Sequence, residues 1–235
     1  MFLKSLLTAA SLLLTTTALA QSVSRYEVKI DDFTQIKMRD NINIKYVSST
    51  DSAGLAVFYT TPEIAPQIVF ANNKGKLSVE FANKKNKPQN PPTVTVYSKF
   101  LTMAENQSDS LINLTNVNSG PQLKLRVIGN GRVIANNLVA LDISASITTG
   151  NGLIIVSGEC DQANLTNMSV GTIQADGLKA KEVKCKLIGT GAIGCFPVNY
   201  LSVSGAGTGK VYYSGTPKTI DNSAINIKVL PMVEE

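Results

Sequence analysis

Residues 183–195, VKCKLIGTGAIGC, decide the fold of this chain. Apolar residues first alternate with lysines, as in a strand with one buried face. A Gly-Thr-Gly turn follows, and a second short apolar strand ends at Cys195. Glycine readily adopts the positive φ angles that a chain needs in order to double back. The stretch therefore predicts two strands joined by a tight corner.

The same pattern occurs five times in the second half of the chain. The units start at Leu123, Leu141, Leu165, Val183 and Leu201, so their spacings are 18, 24, 18 and 18 residues. A short alternating strand buries one face only and is unstable alone. Units stacked in parallel about 4.8 Å apart would pair their backbones and bury a continuous core. We therefore predict an all-β fold, a right-handed parallel β-helix (solenoid), with its glycine-turn coils at residues 119–235.

Alignment of the five units predicts which side chains point into the solenoid. There are two inward ladders on the first strand of each unit, one on the second strand, and one row that faces solvent. The inward ladders are Leu123, Leu141, Leu165, Val183 and Leu201; then Leu125, Ile143, Asn167, Cys185 and Val203; then Ala135, Ile155, Ala175, Cys195 and Tyr213. The solvent-facing row is Lys124, Asp142, Thr166, Lys184 and Ser202. Asn167 interrupts an apolar ladder, so its amide needs a buried hydrogen-bond partner.

Residues 21–118 consist of further alternating runs, for example at 26–30, 42–47 and 77–81. Residues 73–76 predict a hairpin turn, residues 62–66 one helical turn, and the proline-rich polar stretch 83–92 a loop. A stack of parallel strands leaves an unpaired edge at each end, which favours aggregation unless it is covered. We predict that residues 21–118 form a β-strand N-terminal cap region and that residues 224–230 cover the opposite end.

The first twenty residues have the pattern of a secretory signal peptide. Lys4 gives a positive start, an apolar run follows at 6–14, and Ala18-Leu19-Ala20 is a cleavage signal. The apolar run is shorter than the roughly 20 residues of a membrane-spanning helix. We predict a signal peptide at 1–20, an exported mature chain at 21–235, and no transmembrane segment after cleavage. The final location (periplasm, outer cell surface or medium) stays open.

Charge and cysteine content restrict the classes of partner. The chain has 22 basic and 17 acidic residues, and loss of Lys4 leaves a mature net charge of +4. This excess is mild, and Lys84, Lys85 and Lys87 in the polar loop supply part of it, so we predict a solvated loop and no nucleic-acid partner. The three cysteines, Cys160, Cys185 and Cys195, cannot all pair with one another. Two arrangements of the cysteines stay open: one disulfide with one free thiol, or three buried thiols.

The repeats, together with three motifs, resemble the auto-transporter adhesin, head GIN domain family over roughly residues 30–230. The motifs are Phe33-Thr-Gln-Ile36, Asn41-Ile-Asn-Ile44 and the closing stretch at 205–217, GAGTGKVYYSGTP. Gly171-Thr172 departs from the usual Gly-x-Gly, and the last unit lacks a glycine turn. The resemblance implies a β-helix-like body in an exported cell-envelope protein. It brings no catalytic residues.

We find no catalytic, cofactor-binding or metal-binding residues in the sequence. The glycines before Lys210 resemble a phosphate loop, but Val211 stands where that loop needs Ser or Thr. The chain has no histidine. A β-helix lyase or glycosidase would need paired carboxylates. Asp142, Asp161, Asp176 and Glu182 are the nearest candidates, and the alignment gives none of them an acidic neighbour.

We therefore predict an exported, non-catalytic β-solenoid that acts as an adhesin-like binding module of the cell envelope and is not an enzyme. Polysaccharide or other envelope and surface components are the expected partners, because long rows of polar side chains suit many weak contacts. The binding residues are unknown, and a groove that gathers carboxylates or exposed aromatic residues such as Tyr212 would be the sign of a site. A polysaccharide-cleaving enzyme and a structural envelope protein are the alternatives. The ligand and the oligomeric state stay open.

Overall fold

The structure is a computed structural model that describes residues 22–85 and 87–232. It is a β-solenoid of about six turns, and the described residues contain no α-helix. No helix in this part of the chain is long and apolar enough to cross a membrane. The predicted signal peptide, residues 1–20, lies outside the described residues. The all-β solenoid prediction is confirmed.

Seventeen strands, all in one sheet, make up the described chain. They are β1 Ser24–Lys29, β2 Gln35–Met38, β3 Ile44–Ser48, β4 Leu55–Thr60, β5 Ile68–Asn73, β6 Lys76–Phe81, β7 Val94–Ser98, β8 Met103–Asn106, β9 Leu111–Thr115, β10 Gln122–Val127, β11 Arg132–Ile147, β12 Leu153–Asn167, β13 Thr172–Gly189, β14 Ala192–Gly207, β15 Lys210–Tyr213, β16 Thr219–Asn222 and β17 Lys228–Pro231. A single 3₁₀ turn, Ala65–Gln67, replaces the helical turn predicted at 62–66.

Each long strand bends round three sides of the solenoid. In β12, residues 153–155, 157–160 and 162–167 pair with successive segments of β13. We call the side that contains 162–167 the first wall, the side that contains 153–155 the second wall, and the side that contains 157–160 the third wall. Parallel pairing places like positions of neighbouring coils about 4.8 Å apart. Apolar side chains from all three walls fill the interior.

The predicted ladders are confirmed in the last coils and wrong in the earlier ones. Val183 pairs with Leu201 and Cys185 with Val203, and on the second wall Ala175, Cys195 and Tyr213 align. Further back, the first ladder runs through Leu123, Ile143, Ala163 and Val183. The coils there are 20 residues long, not 18 or 24. Leu141 is not in the ladder and is 56% exposed.

A corner explains the error at Leu141. Leu141 and Ile143 stand two residues apart in one alternating run, yet only Ile143 is buried. The chain passes from the third wall to the first wall between them, and this change of direction resets which positions point inward. Leu125 therefore aligns with Ala145 and Leu165 with Cys185. Side chains alternate between the two faces only along a straight strand. Counting every second residue through the corner therefore assigned Leu141 to the interior wrongly.

The predicted outer row and the second-wall ladder need the same kind of correction. Lys124 pairs with Ser144, whereas Asp142 lies between Gln122 and Gln162. Only Lys184 and Ser202 are neighbours as predicted. On the second wall Ala135 aligns with Val156, and Ile155 lies outside beside Ile134. Residues 153–156 are all apolar, so their sequence does not show which of them face inward.

The N-terminal strands form coils of the solenoid as well as its cap. On the first wall β2 lies between β6 and β8, and β8 pairs with β10. On the second wall β3 lies between β7 and β9, and β9 pairs with β11. The coil of β2 and β3 is thus the earliest in the chain but is held between two later ones. Chain order and spatial order differ in this half.

Antiparallel strands close the N-terminal end. β4 pairs with β7 and β1 with β4, while β5 forms a hairpin with β6. The hairpin loop has two residues, Lys74 and Gly75, both at positive φ, so it is tighter than the sequence indicated. At the other end β17 pairs with β15 in parallel and extends the stack. Together with Ile225, which bridges to Ala206, it forms the last coil, over the edge of the preceding one.

Two buried asparagines form equivalent polar corners between the first and second walls. Asn167 Nδ2 donates to the carbonyl oxygens of Gly171 (2.7 Å) and Ala192 (3.2 Å), and its Oδ1 accepts from Ser169. Asn106 makes the same set of bonds three coils earlier, to Ser110, Arg132 and Ser108. The prediction that Asn167 has hydrogen-bond partners is confirmed.

Candidate functional site

The outer surface of the first wall is regular throughout the second half. Three parallel columns of side chains cross β10 to β14, and two of them reach β16. The columns are Gln122, Asp142, Gln162, Glu182, Tyr200 and Thr219; Lys124, Ser144, Asn164, Lys184, Ser202 and Asp221; and Arg126, Ser146, Thr166, Lys186 and Ser204. We call these residues the polar face. None of them is aliphatic, and Tyr200 is their one aromatic residue.

Unused amide groups mark the middle of the polar face. A shallow depression of about 350 Å³ is lined by Gln122, Asp142, Gln162, Asn164 and neighbours. Gln122 Nε2 donates to Asp142 Oδ2 (3.2 Å) across one coil. Within the described chain the side-chain amides of Gln162 and Asn164 have no such partner. Each offers two donors and one acceptor to a ligand.

A pair of lysines lies beside these amides. Lys184 and Lys186 stand two residues apart on β13, so their Cα atoms are about 7 Å apart on the same face. Asn164 and Ser202 flank Lys184, and Thr166 and Ser204 flank Lys186. Neither lysine has an ion-pair partner in the part of the chain that the structure describes. The pair, set among hydroxyl and amide groups, suits a carboxylate or sulfate group of a ligand.

The polar face meets the N-terminal half at Glu105. Its carboxylate lies 2.8 Å from Lys37 Nζ on β2 and 3.5 Å from Arg126 Nη1 on β10. Burial raises the pKa of Glu105, but the nearby Lys37 ammonium, with Arg126 and the Gln107 amide, more than offsets this, and the pKa is lower than usual. This carboxylate therefore stays charged and ties three strands together.

The four carboxylates considered for catalysis do not come together. Asp142 and Glu182 share a column, contrary to the predicted row, but Gln162 separates them and their backbones are two coils, roughly 10 Å, apart. Asp161 lies on the third wall, 2.7 Å from Lys181 Nζ, and Asp176 lies beside Gly194 on the second wall. Glycosidases hold their two carboxyl groups about 5–9.5 Å apart over one bond. Among the described residues no group of His, Cys, Asp and Glu could hold a metal ion.

A family model described as "Putative auto-transporter adhesin, head GIN domain" matches residues 32–217, well over half of the chain. The chain belongs to this family. The match ends at Pro217, where the closing motif recognised in the sequence also ends. The resemblance is thus confirmed, and it supports an adhesin-like module built on a β-solenoid.

Solved structures of other proteins share the fold. A "putative adhesin" from Bacteroides fragilis superposes with a TM-score of 0.81 at 22% identity, covering 90% of this chain and 97% of that one. A "putative lipid binding protein" from Parabacteroides distasonis has a TM-score of 0.69 at 18% identity, covering 91% and 98%. A "putative adhesin" from Parabacteroides merdae has 0.66 at 21%, with the same coverage. No curated protein matches the chain. At these identities the structures show the fold alone.

The closing motif of the head GIN family serves a structural corner in this chain. Gly207 has a φ of +147°, and a Cβ atom there would lie 2.0 Å from the carbonyl oxygen of Gly189 in the coil below. The glycine is therefore required by close stacking of two turns. Strand β15, not a helix, follows the turn, so no helix N-terminus is available to bind a phosphate. Tyr212, in the same motif, is partly buried on the second wall.

The three cysteines are buried and unpaired. Burial, with the charges of Asp161 and Asp142, raises the pKa of Cys160 to about 12. The pKa of Cys185 is raised by its contact with Cys195 and by burial. A thiol with a raised pKa is a poor nucleophile because the thiolate is the reactive form. Of the two arrangements left open, the structure has the three buried thiols.

Two of the three loop lysines contact acidic side chains. Lys87 Nζ lies 2.6 Å from Asp40 Oδ1, and Lys84 Nζ lies 3.4 Å from Glu80 Oε2. The Asp40 carboxylate also accepts from the backbone N–H of Phe81 (2.9 Å). Burial raises the pKa of Asp40, but these partners outweigh burial and lower it overall. The loop lysines thus serve partly to hold the loop against the first coils.

Proposed function

We propose that this chain is an exported, non-catalytic binding module that holds an extended polysaccharide at or near the cell surface. The polar face carries the proposal: three columns of hydrogen-bonding side chains without one aliphatic residue. Membership of the adhesin family and the signal-peptide pattern at residues 1–20 support it.

The chemistry of the polar face fits a glycan. Sugar hydroxyl groups donate and accept hydrogen bonds, and the free amides of Gln162 and Asn164 can do the same. Tyr200 offers an aromatic ring near one end of the face. A polymer that crosses several coils would make many weak contacts at a regular spacing, as repeat proteins do on extended surfaces. Lys184 and Lys186 favour a polysaccharide that carries carboxylate or sulfate groups.

The carboxylates favour binding over cleavage. Glycan cleavage would need a general acid with a raised pKa next to a second carboxylate. The buried carboxyl groups Asp40 and Glu105 have lowered pKa values instead. Asp142 and Glu182, on the polar face itself, are separated by a glutamine. We therefore expect bound polysaccharide to be released unchanged.

Binding to a panel of neutral and acidic polysaccharides tests the proposal. Replacing both Gln162 and Asn164 with Ala removes two sets of hydrogen bonds, and we expect affinity to fall roughly 10-fold or more. A matched control replaces Asn113 and Gln174 with Ala, which are on the second wall, and should leave affinity unchanged. Lys184→Gln with Lys186→Gln should weaken acidic polysaccharides only.

Two outcomes would contradict the proposal. Equal loss of binding in the two alanine pairs would show that the polar face is not the site. Shorter oligosaccharides appearing on incubation, and disappearing in Asp142→Ala, would show an enzyme. Circular dichroism and thermal unfolding of each variant would separate lost binding from lost folding.

A further inference from the structure

The third wall carries an ordered set of exposed side chains that the polar face does not use. Two adjacent columns run along it. In one column Val139, Glu159, Lys179 and Phe196 are paired in register. The other contains Leu141, Asp161, Lys181 and Val198, each one residue beyond the paired positions Ala140, Cys160, Ala180 and Pro197. We call these eight residues the third-wall patch.

Chemical type changes coil by coil along the patch. The first coil contributes two apolar residues, the second two acidic ones, the third two basic ones, and the fourth two apolar ones. Three of the four apolar members are exposed, Val139 by 77%, Leu141 by 56% and Val198 by 45%, while Phe196 is half-buried. Lys179 lies over the ring of Phe196, 5.8 Å from its centroid. Contiguous exposed apolar patches that are rimmed by polar residues mark interaction surfaces.

The coil order apolar, acidic, basic, apolar is complementary to the same order read backwards, because acidic then faces basic and apolar faces apolar. A two-fold axis parallel to the strands, between the coils of Glu159 and Lys179, would place a second copy with its coil order reversed. Each column would then face the same column of the second copy. The acidic coil would face the basic coil, and the apolar coils at the two ends would face each other. Self-complementary patches of this kind define isologous dimers.

The alternative arrangements are less favourable. A two-fold axis along the stack would place the acidic coil against its own copy, where like charges repel. When the second copy faces the patch with its coil order reversed, the Asp161–Lys181 ion pair instead becomes part of a network. That network contains the acidic and the basic coil of each copy. A groove of about 670 Å³ along the patch leaves room for the long lysine side chains of the other copy.

We infer that a second copy of this chain binds the third-wall patch and forms a two-fold symmetric dimer. The two polar faces remain free because they lie on the first wall of each copy. A dimer would therefore present two polysaccharide sites, and linked sites gain avidity when one polymer can reach both.

Charge reversal tests the inference directly. Glu159→Lys with Asp161→Lys makes the central coils all basic, and Lys179→Glu with Lys181→Glu makes them all acidic. Each variant should be a monomer, with its dimer dissociation constant raised at least ~10-fold by facing like charges. A mixture of the two variants should form a heterodimer. The variant with all four changes should again dimerise, because its coils read apolar, basic, acidic, apolar and still place opposite charges face to face when the order is reversed.

Analytical ultracentrifugation with light scattering would measure these states, and circular dichroism would check folding. A matched control, Asp51→Lys with Glu63→Lys, makes the same change in net charge at exposed positions far along the chain and should dimerise like the parent chain. The inference is overturned if the parent chain is a monomer at about 1 mM in about 0.02 M salt. It is also overturned if both reversals leave the dimer intact, or if the mixture forms no heterodimer.

Discussion

The two halves of the solenoid both stack short straight strand segments, but they connect these segments differently. In residues 122–232 each coil pairs with the coil that follows it, 17–21 residues later. In residues 22–115 the coil of β2 and β3 is enclosed by coils that come later in the chain. Ile44, for example, pairs with Val94 on one side and Ile112 on the other. Connectivity, more than strand composition, separates the halves.

This difference has consequences for cooperativity. A serial stack approximates a one-dimensional array in which each coil depends on its neighbours, so a local defect stays local. The enclosed coil can form only when strands about 40–70 residues away are in place, and closing such long loops is entropically costly. We expect the N-terminal half to gain and lose structure as one unit.

The cores of the halves also differ. Phe33, Tyr46, Phe58 and Phe81 are buried in the N-terminal half, whereas the serial coils are filled by aliphatic residues, alanine and cysteine. Large aromatic side chains bury more surface per residue. The N-terminal core thus compensates for an arrangement with costly connections, while the small residues of the serial core let turns stack closely.

The largest expected effect is at Tyr46, in the middle of the enclosed coil. Its ring meets that of Phe33 edge-on, with centroids 6.3 Å apart, and its hydroxyl lies 2.9 Å from Ser48 Oγ and 3.0 Å from Ser98 Oγ. We expect Tyr46→Ala to lower the free energy of unfolding by roughly 3–5 kcal/mol. Hydrogen exchange should quicken throughout residues 22–115.

Tyr46→Phe is the control, because it keeps the ring and loses only the hydroxyl contacts. It should cost about 1 kcal/mol and leave the exchange pattern of the parent chain. Exchange confined to β3 and its two neighbours in Tyr46→Ala would contradict the view that this half unfolds as one unit.

The second effect, at Gly158, concerns the serial half. Gly158 has a φ of +130°, and a Cβ atom there would lie 2.1 Å from the carbonyl oxygen of Leu138 in the preceding coil. Gly158→Ala must shift backbone, so we expect a loss of roughly 2–4 kcal/mol. Hydrogen exchange should quicken in β11, β12 and β13 only, which would distinguish this half from the first.

Gly129 supplies the comparison for Gly158. It also has a positive φ, +106°, but a Cβ atom there would meet nothing within 4 Å. Gly129→Ala should therefore cost only the conformational penalty, about 1–2 kcal/mol. Equal losses in the two variants would show that close stacking of coils is unimportant, and exchange spreading to β2 and β3 would show that the serial half is not serial.

The sequence predicts the serial half far better than the enclosed one. A repeat such as the glycine turns at 189–191 and 207–209 identifies both the unit and its neighbour, so the last coils aligned correctly. Leu141 was misplaced because a corner resets the alternation. The enclosed position of β2 and β3 leaves no trace, since five-residue alternating strands fit any neighbour equally well. The polar face was found only in part, and Tyr200 was missed, because it depends on register.

The smallest effect is at the junction of the halves, where Glu105 on β8 joins Lys37 on β2 to Arg126 on β10. We expect Glu105→Gln to lower the free energy of unfolding at pH 7 by about 1 kcal/mol, a modest loss because Lys37 and Arg126 are partly exposed to solvent. The folded-state pKa of Glu105 lies below its ordinary value of 4.5. Its contribution is therefore complete above 4.5 and is lost as the pH falls through the lowered folded-state pKa.

Denaturant unfolding of Glu105→Gln and the parent chain at pH 7 and at successively lower pH would follow this contribution. The two stabilities should converge as the solution is acidified. Glu80→Gln is a suitable control, since its partners Arg39 and Lys84 are exposed and both lie within the N-terminal half, so its effect should stay below about 0.5 kcal/mol. A gap between Glu105→Gln and the parent chain that persists at low pH would show that the carboxylate acts by packing. The two halves would then be joined by burial and strand pairing, without a contribution from charge.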